Sequence, residues 1–452
     1  LFWAVFLLIS PGIFAQVQRL TPDEAVDLAM KNNLNLEIAR IGTETKRQQS
    51  AFSWNQFIPS AQLAGTLSRL NEELEPTVIS LPGGVSIPMG GGASQWGFNG
   101  QLQLQLGLNI AMFKNIKRLK QEYESGLISY EQTRAQIEQN VRRLYYEIVY
   151  TQEQLDILKE SFTNLQRQAA MAQANYRAGL IPEVDWLRAQ VSVENFKPNL
   201  DQAESGYKTL VSNYALLLGL PNGAEFALDP IPGEIQFIPL DATDLSARAG
   251  AGNWNIQAQR NALLSAESGK WASWYANYTP SLSLGWNYGR TLSDPFNNGW
   301  FDGDNWAKGS GTGVSGQLTL SLVFRLDNYL PFSSGARGVK EIDDTVKSLN
   351  LNLAQTIRET EINVYTTVFS LEQIRTASEA QRATVRLAER SYQLTEQAYR
   401  GGLRQLLDVQ SAEQDLRQAR LGMLRQNIDY LQGLLDLEYA MGVPFGTLGG
   451  RQ

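Results

Sequence analysis

Two five-residue stretches, YRAGL at 176–180 and YRGGL at 399–403, each place a phenol, a guanidinium and a glycine together. Each is followed at the same distance by a carboxylate, Asp185 and Asp408. Such groups hydrogen bond, pair as ions and attract cations. They do not make a covalent site here, because the chain contains no Cys and no His. Thiol nucleophiles, disulfides, imidazole bases, imidazole metal ligands and every Ser-His or Cys-His pairing are excluded together. A carboxylate hydrolase would need two acids in one pocket, and no acidic pair stands out from helix-surface patterning. No motif calls for a cofactor. An aspartate in the first turn of a helix is also favoured by the helix dipole, by about 0.3–1 kcal/mol, without any further role.

The elements that position these residues emerge from a repeat. At a constant offset of 223, Tyr176, Arg177, Gly179, Leu180, Asp185, Ala189, Tyr207, Gly219 and Pro221 fall on Tyr399, Arg400, Gly402, Leu403, Asp408, Ala412, Tyr430, Gly442 and Pro444. Upstream, NLNLEIAR (33–40) matches NWNIQAQR (253–260), FIPSAQL (57–63) matches YTPSLSL (278–284), and QLQLQL (101–106) matches QLTLSL (317–322). The chain is therefore two copies of one unit of about 220 residues.

Each unit opens helically; Thr21 stands as an N-cap and Pro22 at the first helical position. The period then becomes two. Leu102, Leu104, Leu106, Leu108 and Ile110 alternate with Gln101, Gln103, Gln105 and Asn109, and Leu318, Leu320, Leu322, Phe324 and Leu326 alternate with Gln317, Thr319, Ser321 and Arg325. Similar alternation follows Pro59 and Pro280, making four strands with one oily and one wet face. Between the members of each pair lies a long Gly-, Pro- and Asn-rich loop read as solvated. Trp96, Phe98, Trp286, Tyr288, Trp300 and Trp306 mark strand ends, and Trp54, Trp271 and Trp274 mark preceding helix ends, as aromatic girdles do at a bilayer interface. Four strands cannot close a barrel, and open edges cannot lie in lipid, so the barrel must be shared between chains. Two copies would give eight strands and a filled interior; three would give twelve and a lumen.

After each second strand comes a long helical segment in which Ile137, Val141, Leu144, Ile148, Leu155, Leu158, Phe162 and Leu165 recur at coiled-coil spacing. Sixty such residues reach about 90 Å. Gly179 and Gly402 supply the left-handed turn that ends the segment, and a return helix follows from Pro182 or Leu406. The tips are thus the turns of two helical hairpins.

The sequence reads as a secretory leader at 1–15 lacking its charged start, with no Cys at the cut to carry a lipid. Residues 16–220 are the first repeat, with strands about 57–70 and 97–110 and a hairpin about 116–220. Residues 221–242 are a linker, and 243–452 the second repeat, with strands about 278–291 and 314–326 and a hairpin about 337–442. With 43% hydrophobic and 19% charged residues there is ample core for one or two large units. A net charge of −7 leaves no patch for phosphate backbones, so no nucleic acid is expected. Beyond Gln16 no run is long and apolar enough for a transmembrane helix. The cluster Lys114, Lys117, Arg118 and Lys120 reads as a solvated barrel rim, and Asp302-Gly303-Asp304-Asn305 lacks the remaining ligands of a calcium loop.

The order of LTPDEAVDLAMKNN, both PS strand entries, both YR-GL tips and the final YAMGVP resembles the TolC-like outer membrane efflux protein family over essentially the whole chain after the leader. The resemblance implies a mainly α fold with membrane β: a homotrimer forming a twelve-stranded transmembrane β-barrel in outer-membrane lipid, and a long α-helical coiled-coil tunnel through the periplasm of a Gram-negative-type cell. It also implies two partners, a periplasmic adaptor and an inner-membrane pump, in a tripartite efflux or type I secretion system whose cargo the pump selects. By the same resemblance Tyr399 and Arg404 hold the tip closed against the neighbouring hairpin, where the acidic partner is Asp185. Asp408 matches an acid ring at the narrowest point. That ring's second acid is Ser411 here, which weakens the expected cation site. The rival expectation is a surface coiled-coil adhesin or a structural outer-membrane protein, which explains long helices but not four amphipathic strands with aromatic ends.

Overall fold

The structure, a computed structural model, describes residues 18–72, 77–80, 86–89, 95–221, 226–230, 235–308 and 316–448, with single positions at 82, 84, 223 and 224. The leader expected at 1–15 lies outside the described residues. In chain order the elements are β1 (Gln18–Leu20), α1 (Pro22–Asn32), α2 (Leu34–Ala51), β2 (Ser60–Arg69), β3 (Thr77–Ser80), β4 (Ser86–Met89), β5 (Trp96–Leu108), α3 (Ala111–Arg177) and α4 (Glu183–Leu217). The second half comprises β6 (Phe226–Leu228), α5 (Ala242–Gly252), α6 (Trp254–Tyr278), β7 (Ser281–Ser293), β8 (Trp306–Lys308), β9 (Gly316–Val323), α7 (Ser334–Arg400) and α8 (Leu406–Met441). The chain divides into two compact units: residues 1–43, 126–260 and 352–452 form one, and 44–125 with 261–351 the other.

The first unit is helical and repeats its own design. Thr21 caps α1 in a capping box with Glu24, and Pro22 occupies the first turn. Of the coiled-coil positions read from α3, Ile137, Val141, Ile148, Leu155 and Leu165 are buried. Two cores follow from the duplication. One packs Val141, Tyr145 and Ile148 with Tyr214 and Leu218; the other packs Val364, Val368 and Leu371 with Tyr430, Leu434 and Leu437. In the first, the Tyr145 hydroxyl reaches the carbonyls of Leu20 (2.9 Å) and Asp229 (3.0 Å), and burial pushes its pKa well up.

A repeated latch closes each return helix. The Asn33 amide donates to the Leu217 carbonyl at 3.0 Å while its oxygen caps α2; Asn253 does the same with Ala440 at 2.8 Å and caps the start of α6. The chains come so close there that a Cβ on Gly219 would lie 2.6 Å from the Asn32 carbonyl oxygen, and one on Gly442 1.9 Å from that of Gly252. Both glycines also have positive φ, 71° and 65°. Space and backbone conformation thus require glycine at both positions. The segment expected as a linker contains β6, which pairs in parallel with β1 through Gln18↔Phe226 and Leu20↔Leu228. Three residues carry too little periodicity to be seen in sequence.

The second unit holds an antiparallel sheet in the order β2-β5-β7-β9, with β8 pairing to the end of β7 beyond β9. Its register keeps the faces separate. Ala61↔Leu104, Leu104↔Trp286 and Trp286↔Leu318 continue one apolar row, and Leu106↔Leu284 with Leu284↔Leu320 another. Gln62↔Gln103, Gln103↔Asn287 and Asn287↔Gln317 form a polar row next to the first of these. The strands differ from the expected bounds at their ends. Phe57 belongs to a 3-10 turn, Ser53–Phe57, so β2 begins after Pro59; Asp327–Tyr329 form another, so β9 ends at Val323 although the alternation runs on. The first loop carries the β3–β4 hairpin, an ordered element inside what reads as solvated coil. In the same unit, Lys270 of α6 and Lys347 of α7 both contact Asp343 and hold its carboxyl down at about 2. That link stabilises the fold above the ordinary carboxylate pKa and is lost as pH falls toward 2.

Candidate functional site

Both hairpin tips are built by the same local chemistry. Gly179 (φ 71°) and Gly402 (φ 74°) adopt the left-handed conformation. The Gly179 N–H donates to the Tyr176 carbonyl and Leu180 N–H to that of Asn175, both at 2.9 Å; Gly402 and Leu403 repeat this with Tyr399 (2.9 Å) and Ala398 (2.8 Å). These paired bonds are Schellman caps, which satisfy the carbonyls that a helix end otherwise leaves open. Such a cap usually packs its following apolar residue back on the helix, yet Leu180 and Leu403 are 73% and 82% exposed. Leu407 beside the second tip is exposed as well. Each tip therefore exposes a leucine.

The return helices begin differently. Gln405 caps α8 in a capping box, its N–H donating to Asp408 Oδ2 at 3.2 Å. Pro182 caps α4 and has no N–H to give. Arg404 Nη1 lies 3.8 Å from Asp408 Oδ2, and Asp185 pairs with Arg188 at 3.6 Å. Both are exposed local pairs, three or four residues apart, worth about 0–1 kcal/mol. The structure thus brings Arg404 to Asp408, while neither Arg404 nor Tyr399 of the chain lies within bonding reach of its own Asp185. The tips also differ in their rings: Tyr176 stacks on Trp186 at 5.4 Å, whereas the residue matching Trp186 in the second hairpin is the buried Val409. The Tyr399 hydroxyl is covered by the chain and has no hydrogen-bond partner. An orphan of that kind costs about 1–3 kcal/mol, which a tip rearrangement that supplied an acceptor would recover.

The sheet is incomplete in a second sense. Among the described residues β2 pairs only with β5, and β9 only with β7, so both long edges carry unpaired backbone. Along β9, Leu318, Leu320 and Leu322 are 68%, 67% and 71% exposed. At the loop end of the sheet, Phe98, Trp300 and Trp306 gather with centroids 4.9–6.4 Å apart. Asp302 caps the 3-10 turn at Gly303–Asn305, and no group of three acids among the described residues could hold a metal. No helix there is long and apolar enough to cross a membrane.

The sheet thus has one apolar face and two open edges, in a chain that folds the same strand-and-hairpin unit twice. The chain belongs to the outer membrane efflux protein family: residues 25–220 match it, and residues 247–443 match it again, one match for each repeat. It is therefore an outer-membrane protein. Its fold is that of solved channels. CusC is 16% identical with a TM-score of 0.73, covering 97% of this chain and 96% of its own. The Campylobacter jejuni CmeC outer membrane channel is 17% identical with a TM-score of 0.73, covering 95% and 87%. The Neisseria gonorrhoeae MtrE outer membrane channel, solved in an open state, is 16% identical with a TM-score of 0.69, covering 93% and 89%.

Proposed function

We propose that three copies of this chain form a twelve-stranded barrel and that the trimer is the passive outer-membrane conduit of a tripartite efflux or type I secretion system. The observation that carries this reading is the pair of open sheet edges. Unpaired backbone cannot sit in lipid, and β9, antiparallel to β7, presents the right direction to pair with β2 of a neighbouring copy. Three copies give a lumen rather than a filled interior. No catalytic step is required of the chain. The bare leucines at the tips are where a periplasmic adaptor docks, and an inner-membrane pump selects the cargo.

Tyr399, Arg404 and Asp185 serve as the gate, with Asp408 as the pore acid. Three copies of Asp408 converging at one constriction concentrate cations. A single-channel record on purified protein in a planar bilayer tests the conduit reading, and reversal potentials in a salt gradient test the acid. The channel is expected to be cation-preferring, and Asp408→Ala to reduce that preference. An unchanged reversal potential would return Asp408 to capping α8. Because Ser411 stands where a second acid would reinforce the ring, the preference should be modest.

A further inference from the structure

The helix dipole favours acids in the first turn of a helix. Acids occupy that turn in α1 (Asp23, Glu24), α4 (Glu183, Asp185), α5 (Asp244) and α8 (Asp408). Three helices, α3, α6 and α7, have no acid there, and the two that directly follow β5 and β9 carry cations in their first turns instead. In α3 the first acid is Glu122, preceded by Lys114, Lys117, Arg118 and Lys120; in α7 it is Glu341, preceded by Arg337 and Lys340. At the 223-residue offset of the helical repeat, Lys114 matches Arg337 and Lys117 matches Lys340, so the cations recur in both copies.

Arg118 is held by Glu122 and Asn115. The others have no carboxylate within ion-pair distance among the described residues, and Lys117, Lys120, Arg337 and Lys340 are exposed. Unpaired cations near a positive helix end call for an anion from elsewhere. The surroundings indicate which kind. Phe113 shares the stripe of α3 that carries Lys117 and Lys120 and is 65% exposed, and Phe332, just before α7, is 75% exposed. Trp271, Trp274, Tyr275 and Tyr278 run along the end of α6 in successive ring contacts at 5.2–6.3 Å. Exposed aromatics beside lysines on long apolar stems are the dress of a membrane–water boundary. From Phe113 to Lys120 the helix rises about 10 Å, on the scale of a headgroup layer.

We propose that Lys114, Lys117 and Lys120 of α3 with Arg337 and Lys340 of α7 form a collar that binds the phosphates of anionic glycerophospholipids at the helix-side rim of the barrel. The inference rests on the barrel reading above. Free phosphate would explain the cations but not the aromatic band. The chain's net charge of −7 would by itself repel anionic lipid, so a preference for it must come from local charge.

The test is native mass spectrometry of the full-length protein, extracted with equal amounts of phosphatidylglycerol and phosphatidylcholine. Each cation at an anionic surface strengthens binding about fivefold. The parent should retain phosphatidylglycerol over phosphatidylcholine by about tenfold or more, and 0.5 M NaCl should erase the preference by screening. K114Q/K117Q/K120Q/R337Q/K340Q should hold both lipids alike while keeping the parent's oligomeric mass. A trimeric parent without preference, or a variant with the parent's preference, would overturn the collar. A monomeric parent would overturn the barrel itself, and the measured mass tells the two failures apart.

Discussion

Replacing Leu318, Leu320 and Leu322 together with Asp should abolish recovery of the assembled protein from outer membranes. The three leucines share one face of β9, in register with Trp286, Leu284 and Leu282 of β7, and each is more than two-thirds exposed in the single chain. In a shared barrel that face meets hydrocarbon. A carboxylate there costs on the order of 2 kcal/mol near the midplane, and a trimer multiplies three sites to nine. The sum exceeds the roughly 5–15 kcal/mol that holds a folded protein together. Thr319→Asp with Ser321→Asp, on the opposite face of the same strand, should leave assembly nearly intact because in the proposed barrel that face lines the water-filled lumen. Membrane fractionation followed by unheated gel electrophoresis reads both. Equal loss in the two variants would mean that the face assignment is wrong.

Tyr399→Phe combined with Arg404→Ser should raise single-channel conductance several-fold at unchanged oligomer yield. In the conformation described, Arg404 is spent on its own Asp408 at 3.8 Å, and the Tyr399 hydroxyl is covered without a partner. The proposed gate lies between copies of the chain. Closing it means exchanging these states for bonds to the first hairpin of a neighbour, with Asp185 the acceptor that the gate proposal names. Charge-assisted bonds of that kind contribute about 1.5–3 kcal/mol each, enough to hold a closed state and little enough for an adaptor's binding energy to overturn. The phenylalanine removes one donor from the closed state and the serine removes the charged one, so both substitutions favour opening. If the double variant conducts like the parent, YRGGL is only a turn.

The duplicated unit, the four alternating strands and the hairpin tips were legible in sequence because their signals are local. A glycine that must take positive φ announces a Schellman cap, and leucine every second residue announces a strand. What escaped was tertiary. Asn33 and Asn253 opened the aligned stretches NLNLEIAR and NWNIQAQR, yet only the fold shows each amide reaching a carbonyl 184 or 187 residues away. β6 is three residues long and is paired by β1, far upstream, so its strand character lies in the partner. The strand ends slipped where 3-10 turns continue an alternating sequence without its hydrogen bonds, at Phe57 and after Val323. The basic cluster at Lys114 has its counterpart in Arg337 and Lys340 at the start of α7, a match that shows at the helical offset of 223 and not at that of the strands. For Tyr399, Arg404 and Asp185 no amount of single-chain reading suffices, because the bonds proposed for them join separate copies.

The claim on which the rest depends is that one chain supplies four strands of a twelve-stranded barrel. The native mass of the detergent-extracted protein, corrected for bound detergent, tests it most directly. With 50.4 kDa per chain, three copies predict about 150 kDa. A mass of one or two chains would contradict the shared barrel.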